Sequence, residues 1–432
     1  MSDIRNIQHG KKRAVITGIG PVAPNGIGKE NFWNAIKNGI SGIKKITHFN
    51  PDKYPFKFAG EISDLDPKQY LEHKFIKRTD RATQLSAVAT LLALKDSNLN
   101  ISRPGTENVD LILGSALGGA EKYSANLLQF LATSKRRMSP FAAVNSFSDA
   151  CSGQLATLLN VKGCVITVNM ACASGTQAIV EAYRRVLLDG TKVVIAVGTD
   201  APILEEVVFA FSTATALSQK GNRSPAPFDK NRDGILLGEG AGALIVEELE
   251  HALSRKAPIY GEIIGYGNTT DASSIALGDE SGGGKVEAIR KALESAGIQP
   301  DQVDYINAHG PGTRKGDAIE AHAILDVFGN RARTLPVSST KSMIGHTQGA
   351  CGALETIASL LALKEGIIPP TINYETHDEE CNINCVPNHA IEKEVHIALK
   401  QSFGFGGKNA VLVLKKFDSW NETAFQSKKD KL

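Results

Sequence analysis

Apolar residues in this chain gather in short blocks that glycine brings to an end. "RAVITGIG" (13–20) and "NVDLILGSALGG" (108–119) run through branched and leucine-rich positions into glycines, the pattern of a buried strand. "CVITVNMAC" (164–172) and "KVVIAVGTD" (192–200) repeat it. Between these two the spacing turns helical over 173–189. Ala178, Ala182 and Val186 share one side, with Ile179, Tyr183 and Leu187 beside them, and Gly190 stands where a left-handed cap would close the helix. Strand, helix and strand at this spacing predict a βαβ unit and a parallel sheet.

The second half carries the same alternation. It predicts helices over 284–297, 316–329 and 349–366, and strands over 302–310, 335–340 and 410–417. There is also an internal echo: "ALKDSNL" (93–99) leads to "VDLILGS" (109–115), and "ALESAGI" (292–298) leads to "VDYINAH" (303–309). The shared order of helix, loop and strand predicts a duplicated α/β fold, its halves facing each other across a cleft. The expected division is 1–255, 256–418 and a polar tail, 419–432.

Composition narrows the function classes. At 432 residues the chain suits two large, similar halves, and a net charge of +2 provides no global field for nucleic acid. The N-terminus has no apolar core of a signal peptide, and no run reaches the ~18 apolar residues of a membrane span. Six cysteines in a chain this long make no disulfide framework and fit reduced thiols of the cytoplasm. Cys381 and Cys385 are spaced C-x3-C, but nothing completes a zinc site, so no metal is expected. "TGIGPVA" mimics a dinucleotide fingerprint, yet Pro21 and Pro24 stand where its helix would open. "DKNRDGILLGEG" (229–240) mimics a calcium loop but has Gly240 where the bidentate glutamate belongs, so it reads as a turn.

The chemistry-bearing residues lie at the ends of the expected strands. Cys172, in "VNMACASGTQA", follows a strand and opens a helix, where free N–H groups and the helix dipole favour a thiolate. The alternative is a buried structural thiol, the reading given to Cys351. His309 closes the strand 302–308 on an irregular "HGPGT" loop, either in a site or at the surface. Lys341 and His346 share "SSTKSMIGHTQGA", again between a strand and a helix. "SFGFGGKNA" (402–410) is a tight turn or a loop able to offer backbone N–H groups to an oxyanion. One thiol with two histidines and no metal suggests more than thiol activation: a second task is to stabilise negative charge on a carbonyl oxygen.

With these motifs in place the sequence resembles the β-ketoacyl-acyl-carrier-protein synthases, the condensing enzymes of the thiolase fold, from about residue 12 to 417. The resemblance rests on "ACASG", "FDKNRDGILLGEGAG", "NAHGPGT", "SSTKSMIGH" and "SFGFGG", in family order. It implies a five-layered α/β/α/β/α architecture built by duplication. It implies that Cys172 accepts an acyl group from the phosphopantetheine of an acyl carrier protein, and that no cofactor of the enzyme's own is used. His309 and His346 would bind the thioester oxygen of malonyl-carrier and stabilise the enolate left by loss of CO2, with Lys341 setting their electrostatics and Glu355 beside them. The oxyanion hole would be the N–H groups of Cys172 and Phe405. Phe403, Gly404, Phe405 and Gly406 would gate entry. Thr313 and Pro311 would touch pantetheine, and Leu117, Ala142 and Phe211 would line the acyl pocket. An acidic carrier would dock on Lys74, Lys77, Arg78, Arg136 and Arg137.

This sequence departs from the family pattern at Pro311, where threonine is common, at Ala142, where an aromatic is common, and at Lys408. These differences leave fatty-acid elongation and a type II polyketide or polyene pathway both open. The chain is expected to pair with a copy of itself or with a chain-length-factor-like ketosynthase. A non-catalytic partner subunit and a cysteine-dependent thioester hydrolase are the competing functions.

Overall fold

A computed structural model describes residues 12–101, 109–132, 138–214, 216–218, 225–273 and 278–417. The docking candidates Arg136 and Arg137 and the polar tail lie outside the described residues.

Ten strands carry the fold. The first five are β1 (Ala14–Ala23), β2 (Asp110–Gly114), β3 (Val165–Val168), β4 (Val193–Asp200) and β5 (Gly240–Glu248). The second five are β6 (Gly261–Thr270), β7 (Tyr305–Asn307), β8 (Val337–Ser338), β9 (Ile397–Gly404) and β10 (Lys408–Lys415). Hydrogen bonds connect them in the order β3-β2-β4-β5-β1-β6-β10-β9-β7-β8. Each half therefore repeats one arrangement, third–second–fourth–fifth–first. In both, the second strand pairs in parallel with the third and fourth, and the remaining pairs are antiparallel. The halves meet where β1 and β6 pair over Ala14–Ile16.

The expected parallel sheet is thus corrected to a mixed one. β5 and β10 run antiparallel to both of their neighbours, and β5, β6 and β9 are strands the sequence did not predict. Their glycine and polar positions hid them: β5 starts "GAG" and β6 reads "GEIIGYGNTT", without the dense branched run of a buried strand. Pro21 lies within β1, and the chain folds back at Gly26–Ile27 rather than opening a helix after the glycines.

The helices that frame the site are α1 (Arg81–Asp96), α2 (Ala120–Ala132), α3 (Ser174–Arg184), α4 (Gly283–Ala296), α5 (Arg314–Phe328) and α6 (Cys351–Glu365). α1 covers the first half of the sheet and α4 the second, with α5 packed against α4. α3 and α6 pack against each other between the halves, which makes the five layers. α6 is buried from Cys351 to Leu363, so it shows no polar stripe, as expected of a helix enclosed on every side. The two central helices touch through glycine: a Cβ on Gly352 would lie 2.1 Å from the Thr176 amide nitrogen.

Candidate active site

The nucleophile candidate sits on a tight turn between β3 and α3. Ala171 takes a left-handed φ of 50°. The Ala173 and Ser174 amides donate back to the carbonyls of Met170 and Ala171, each at 3.0 Å. Ser174 Oγ accepts from the Met170 amide at 2.9 Å and donates to Ala171 O at 2.6 Å, which locks the turn. Cys172 is buried just before the first turn of α3, at the positive end of the helix dipole.

Glu320 of α5 fixes His309 by its backbone. Its two oxygens accept from the amides of His309 and Gly310, each at 2.7 Å. Burial lifts the Glu320 carboxyl to about 7. The His309 carbonyl accepts from Lys341 Nζ at 2.6 Å. Its ring meets His346 edge-on, with centroids 5.5 Å apart, and Phe403 at 6.0 Å. Burial, then the positive charge of Lys341, then His346, Lys400 and Lys285, push this imidazole well below the usual histidine range. His309 is held neutral.

His346 is anchored to the first half through its amide, which donates to Leu236 O at 2.7 Å. Its Nδ1 accepts from the Gln348 amide at 3.1 Å, so the ring hydrogen resides on Nε2. Gln348 has a left-handed φ of 50° and points its Oε1 to within 3.5 Å of Cys172 Sγ. Gln348 thus links the two groups, its side chain at the thiol and its amide on the His346 ring.

Beneath the rings lies a group with no solvent exposure: Lys341, Glu355 and Lys400. Lys341 pairs with Glu355 Oε1, and Lys400 Nζ lies 2.6 Å from Glu355 Oε2. Burial disfavours the Lys341 ammonium, but the attraction of Glu355 and other neighbours outweighs it and the net shift is upward. For Lys400 burial dominates and the shift is downward.

A cavity of about 650 Å³ unites these groups. Cys172, His309, His346, Gln348, Phe403, Gly404, Phe405, Pro311, Thr313 and Lys285 line it. Phe405 is half-exposed and stacks on Phe211 at 6.1 Å, and Gly406 takes a positive φ of 75°. A Cβ on Gly404 would meet Met170 O at 2.7 Å and Cys172 N at 3.2 Å, so glycine there lets β9 lie against the nucleophile turn.

Other expected site residues lie apart. Leu117 and Ala142 do not line this cavity, and Phe211 reaches it only through Phe405. Lys74, Lys77 and Arg78 are exposed on a short helix, His73–Arg78, with Arg78 over the Phe141 ring at 4.7 Å. Cys351, read as core, is buried but also lies 3.5 Å from His346 Nδ1.

Four residues of the site went unanticipated: Gln348, Lys400, Glu320 and Asp200. Asp200 closes β4 and accepts from Ser115 Oγ, the amides of Ala116 and Leu117, and the Gly349 amide at 2.6 Å, stitching the two halves beside Cys172. Its burial lifts the carboxyl to about 6. A visible signal was available for Asp200 and Lys400, each the single charged residue of its strand. Among the described residues no group of histidine, cysteine, aspartate and glutamate could hold a metal, and no helix is long and apolar enough to cross a membrane.

Comparison with known proteins agrees with this geometry. Two family models match: the beta-ketoacyl synthase N-terminal domain over residues 11–252 and the C-terminal domain over 260–375. The chain is 40% identical over 410 residues to 3-oxoacyl-(acyl-carrier-protein) synthase 2 of Staphylococcus aureus (strain COL), covering 94% of this chain and 99% of that protein. It is 39% identical over 413 residues to the protein of the same name from Synechocystis sp., with the same coverage. Among solved structures, the ishigamide ketosynthase/chain length factor superposes with a TM-score of 0.89 at 33% identity, over 94% of this chain and 100% of that one. A type II polyketide synthase acyl-carrier protein in complex with its ketosynthase, bound to the hexaketide, matches with a TM-score of 0.86 at 29% identity, with the same coverage. Fold, thiol, paired imidazoles and sequence lead to one statement: this chain belongs to the β-ketoacyl synthase family.

Proposed function

We infer that the protein is a 3-oxoacyl-acyl-carrier-protein synthase that joins an acyl group held on Cys172 to a malonyl unit, with loss of CO2. The observation that carries this reading is the shared cavity of Cys172, His309 and His346, with His346 holding its hydrogen on Nε2. A hydrolase needs one imidazole to activate its thiol; here two rings cross edge to face and can donate together to one oxygen.

The Cys172 thiolate attacks the acyl thioester, and the carrier thiol leaves. Malonyl-carrier then enters, and His309 and His346 bind its thioester oxygen. The C–CO2 bond breaks, its electron pair moves into the enolate, and CO2 departs. The enolate carbon attacks the acyl-Cys172 carbonyl; the oxyanion is met by the amides of Cys172 and Phe405. Collapse expels the Cys172 thiolate and releases β-ketoacyl-carrier. Phe405, half-exposed beside a positive-φ glycine, acts as the gate, and Thr313 and Pro311 contact the pantetheine arm.

The retained thiol speaks against a non-catalytic partner subunit. The partners that fit are an acyl carrier protein, docked on Lys74, Lys77 and Arg78, and a second ketosynthase-fold chain. Tyr123, Leu127, Leu128 and Leu131 of α2 and Met138, Val144 and Phe147 nearby in sequence are exposed apolar residues, and β3 is an edge strand. A copy of this chain or a chain-length-factor-like subunit would cover them. The decisive experiment is Cys172→Ala assayed with acyl- and malonyl-carriers. β-Ketoacyl product should vanish while CO2 release from malonyl-carrier persists; elongation at the wild-type rate would overturn the reading.

A further inference from the structure

Lys400 is a second fully buried lysine on a carboxylate that already has one. A buried ammonium costs several kcal/mol unless it is paired, and β9 would tolerate an apolar residue there. One carboxylate cannot balance two ammonium ions, so the group Lys341, Glu355, Lys400 keeps a net positive charge. Burial and the like charge of Lys341 oppose the Lys400 ammonium, but Glu355 at 2.6 Å and acceptors at Gln401 O, 2.7 Å, and Ser402 Oγ hold it charged. Ser402 Oγ in turn shares a 2.8 Å hydrogen bond with Thr176 Oγ1 on α3, the nucleophile's helix. Lys341 reaches the other side of the site through the His309 carbonyl.

We propose that Lys400 is a positioning residue: acting with the burial of the site, the positive charge it adds to the Lys341–Glu355 pair helps keep His309 neutral, and so helps keep the enolate from being protonated before it attacks the acyl group on Cys172. The inference rests on the condensation reading above. A neutral imidazole is a hydrogen-bond donor of negligible acidity at its Nε2–H. An imidazolium is a strong acid: it would pass that proton to the enolate carbon, giving acetyl-carrier and no new carbon–carbon bond. Charges facing His309 come from several elements: Lys341 and His346 from the loop after β8, Glu355 and Cys351 from α6, Lys400 from β9, Lys285 from α4, Glu320 and Asp317 from α5, and Cys172 beside α3. Of the cations among these, Lys341 donates directly to His309, whereas Lys285 lies near Asp271 and over Phe403 and Lys400 pairs with Glu355; Lys400 is thus the one that shares the Lys341 carboxylate without a hydrogen bond to His309.

The test uses the full-length enzyme with acyl- and malonyl-carriers between pH 5 and 8, measuring β-ketoacyl-carrier and acetyl-carrier together. Lys400→Met brings the buried group to zero net charge. It should move the acid limb of condensation up by about one pH unit and raise the acetyl-carrier share at pH 6 by about ten-fold, the order expected of one nearby charge. Lys400→Met/Glu355→Gln restores the net charge through Lys341 alone and should return the profile to within about 0.3 pH unit of wild type. Glu355→Gln alone should not move the acid limb upward. A purely structural Lys400 would make the double variant worse than either single one. An unchanged Lys400→Met profile, a double variant no nearer wild type, or an upward shift in Glu355→Gln overturns the inference. Wild-type enzyme that makes no β-ketoacyl product overturns the functional reading and takes this inference with it.

Discussion

The Gln348 backbone amide donates to Nδ1 of His346 across 3.1 Å, and that one bond decides which ring nitrogen carries hydrogen. Nε2–H is left to donate to a substrate oxygen. A donor aimed at developing charge contributes roughly 10²–10³ in rate. His346→Ala should therefore lower CO2 release from malonyl-carrier by about that factor. Loading of Cys172 uses the thiol and its own oxyanion donors, so acyl-enzyme formation should fall less than about ten-fold. Isotopic CO2 release and the intact mass of the acylated protein separate the two steps. Equal losses in both would mean that His346 serves the thiol rather than the enolate.

Gly404 brings β9 against the nucleophile turn. Alanine there would place a carbon 2.7 Å from Met170 O and 3.2 Å from Cys172 N, and both obstacles are backbone. The strand or the turn must shift, and a displacement near 1 Å costs on the order of 10²-fold in rate. Gly404→Ala should slow acylation of Cys172 by about this factor with its melting midpoint lowered only modestly. Acylation at the wild-type rate would show that the strand and turn can separate without consequence.

The sequence makes the nucleophile, the histidines and Lys341 visible because Cys172 and His309 follow recognisable apolar strands and Lys341 and His346 share the segment between a strand and a helix. Their arrangement was legible for the same reason: strands of a duplicated fold bring their C-terminal ends to one seam. What escaped was support supplied from elsewhere in the chain. Glu320 lies 11 residues after His309 in a helix whose charged positions look solvent-facing, yet it is buried against the His309 amide. Lys400 is the single charge of its strand, beside Gln401 and Ser402, and without its partner Glu355 in view a lone lysine argues only against burial. β5, β6 and β9 were missed because glycine and polar residues stand where a periodicity argument looks for branched ones: Gly242 of β5 packs on Ala353 of α6, Gly265 and Gly267 of β6 on Ala292 and Ala288 of α4, and Gly404 of β9 on the nucleophile turn.

Lys74, Lys77 and Arg78 stand exposed on one short helix, and among the described residues none of them pairs with a carboxylate. Unpaired surface cations act mainly on encounter with an oppositely charged partner. Reversing Lys74 and Lys77 to glutamate should raise the KM for acyl-carrier by about ten-fold or more at low salt, change kcat by less than about three-fold, and lose much of its effect at 0.5 M salt, where screening is strong. Steady-state kinetics against carrier concentration at two ionic strengths checks this. A KM that does not move would place the carrier on another face.

Burial lifts the Glu320 carboxyl from its ordinary 4.5 to about 7 even though two backbone amides favour its charged form. The sign for stability follows. Between pH 4.5 and 7 the folded protein retains a proton that the unfolded chain has released, so folding takes up protons and stability falls as pH rises through this window. Asp200 and Asp317, each lifted to about 6, add slopes of the same sign at slightly lower pH. Glu320→Gln has no proton to exchange. Its denaturation midpoint should decline less steeply than wild type between pH 5 and 8, by on the order of 1–3 kcal/mol across the range. At pH 8 it should also be less active: an amide offers one acceptor to the two N–H groups of His309 and Gly310, and turns its own N–H2 towards the other. Leaving one buried donor unsatisfied costs about 1–3 kcal/mol, and the displaced group is the backbone that carries the His309 ring. Urea titrations and condensation rates at pH 5 and 8 read both effects, and a Glu320→Gln protein with the full wild-type pH slope would show that the proton is taken up elsewhere.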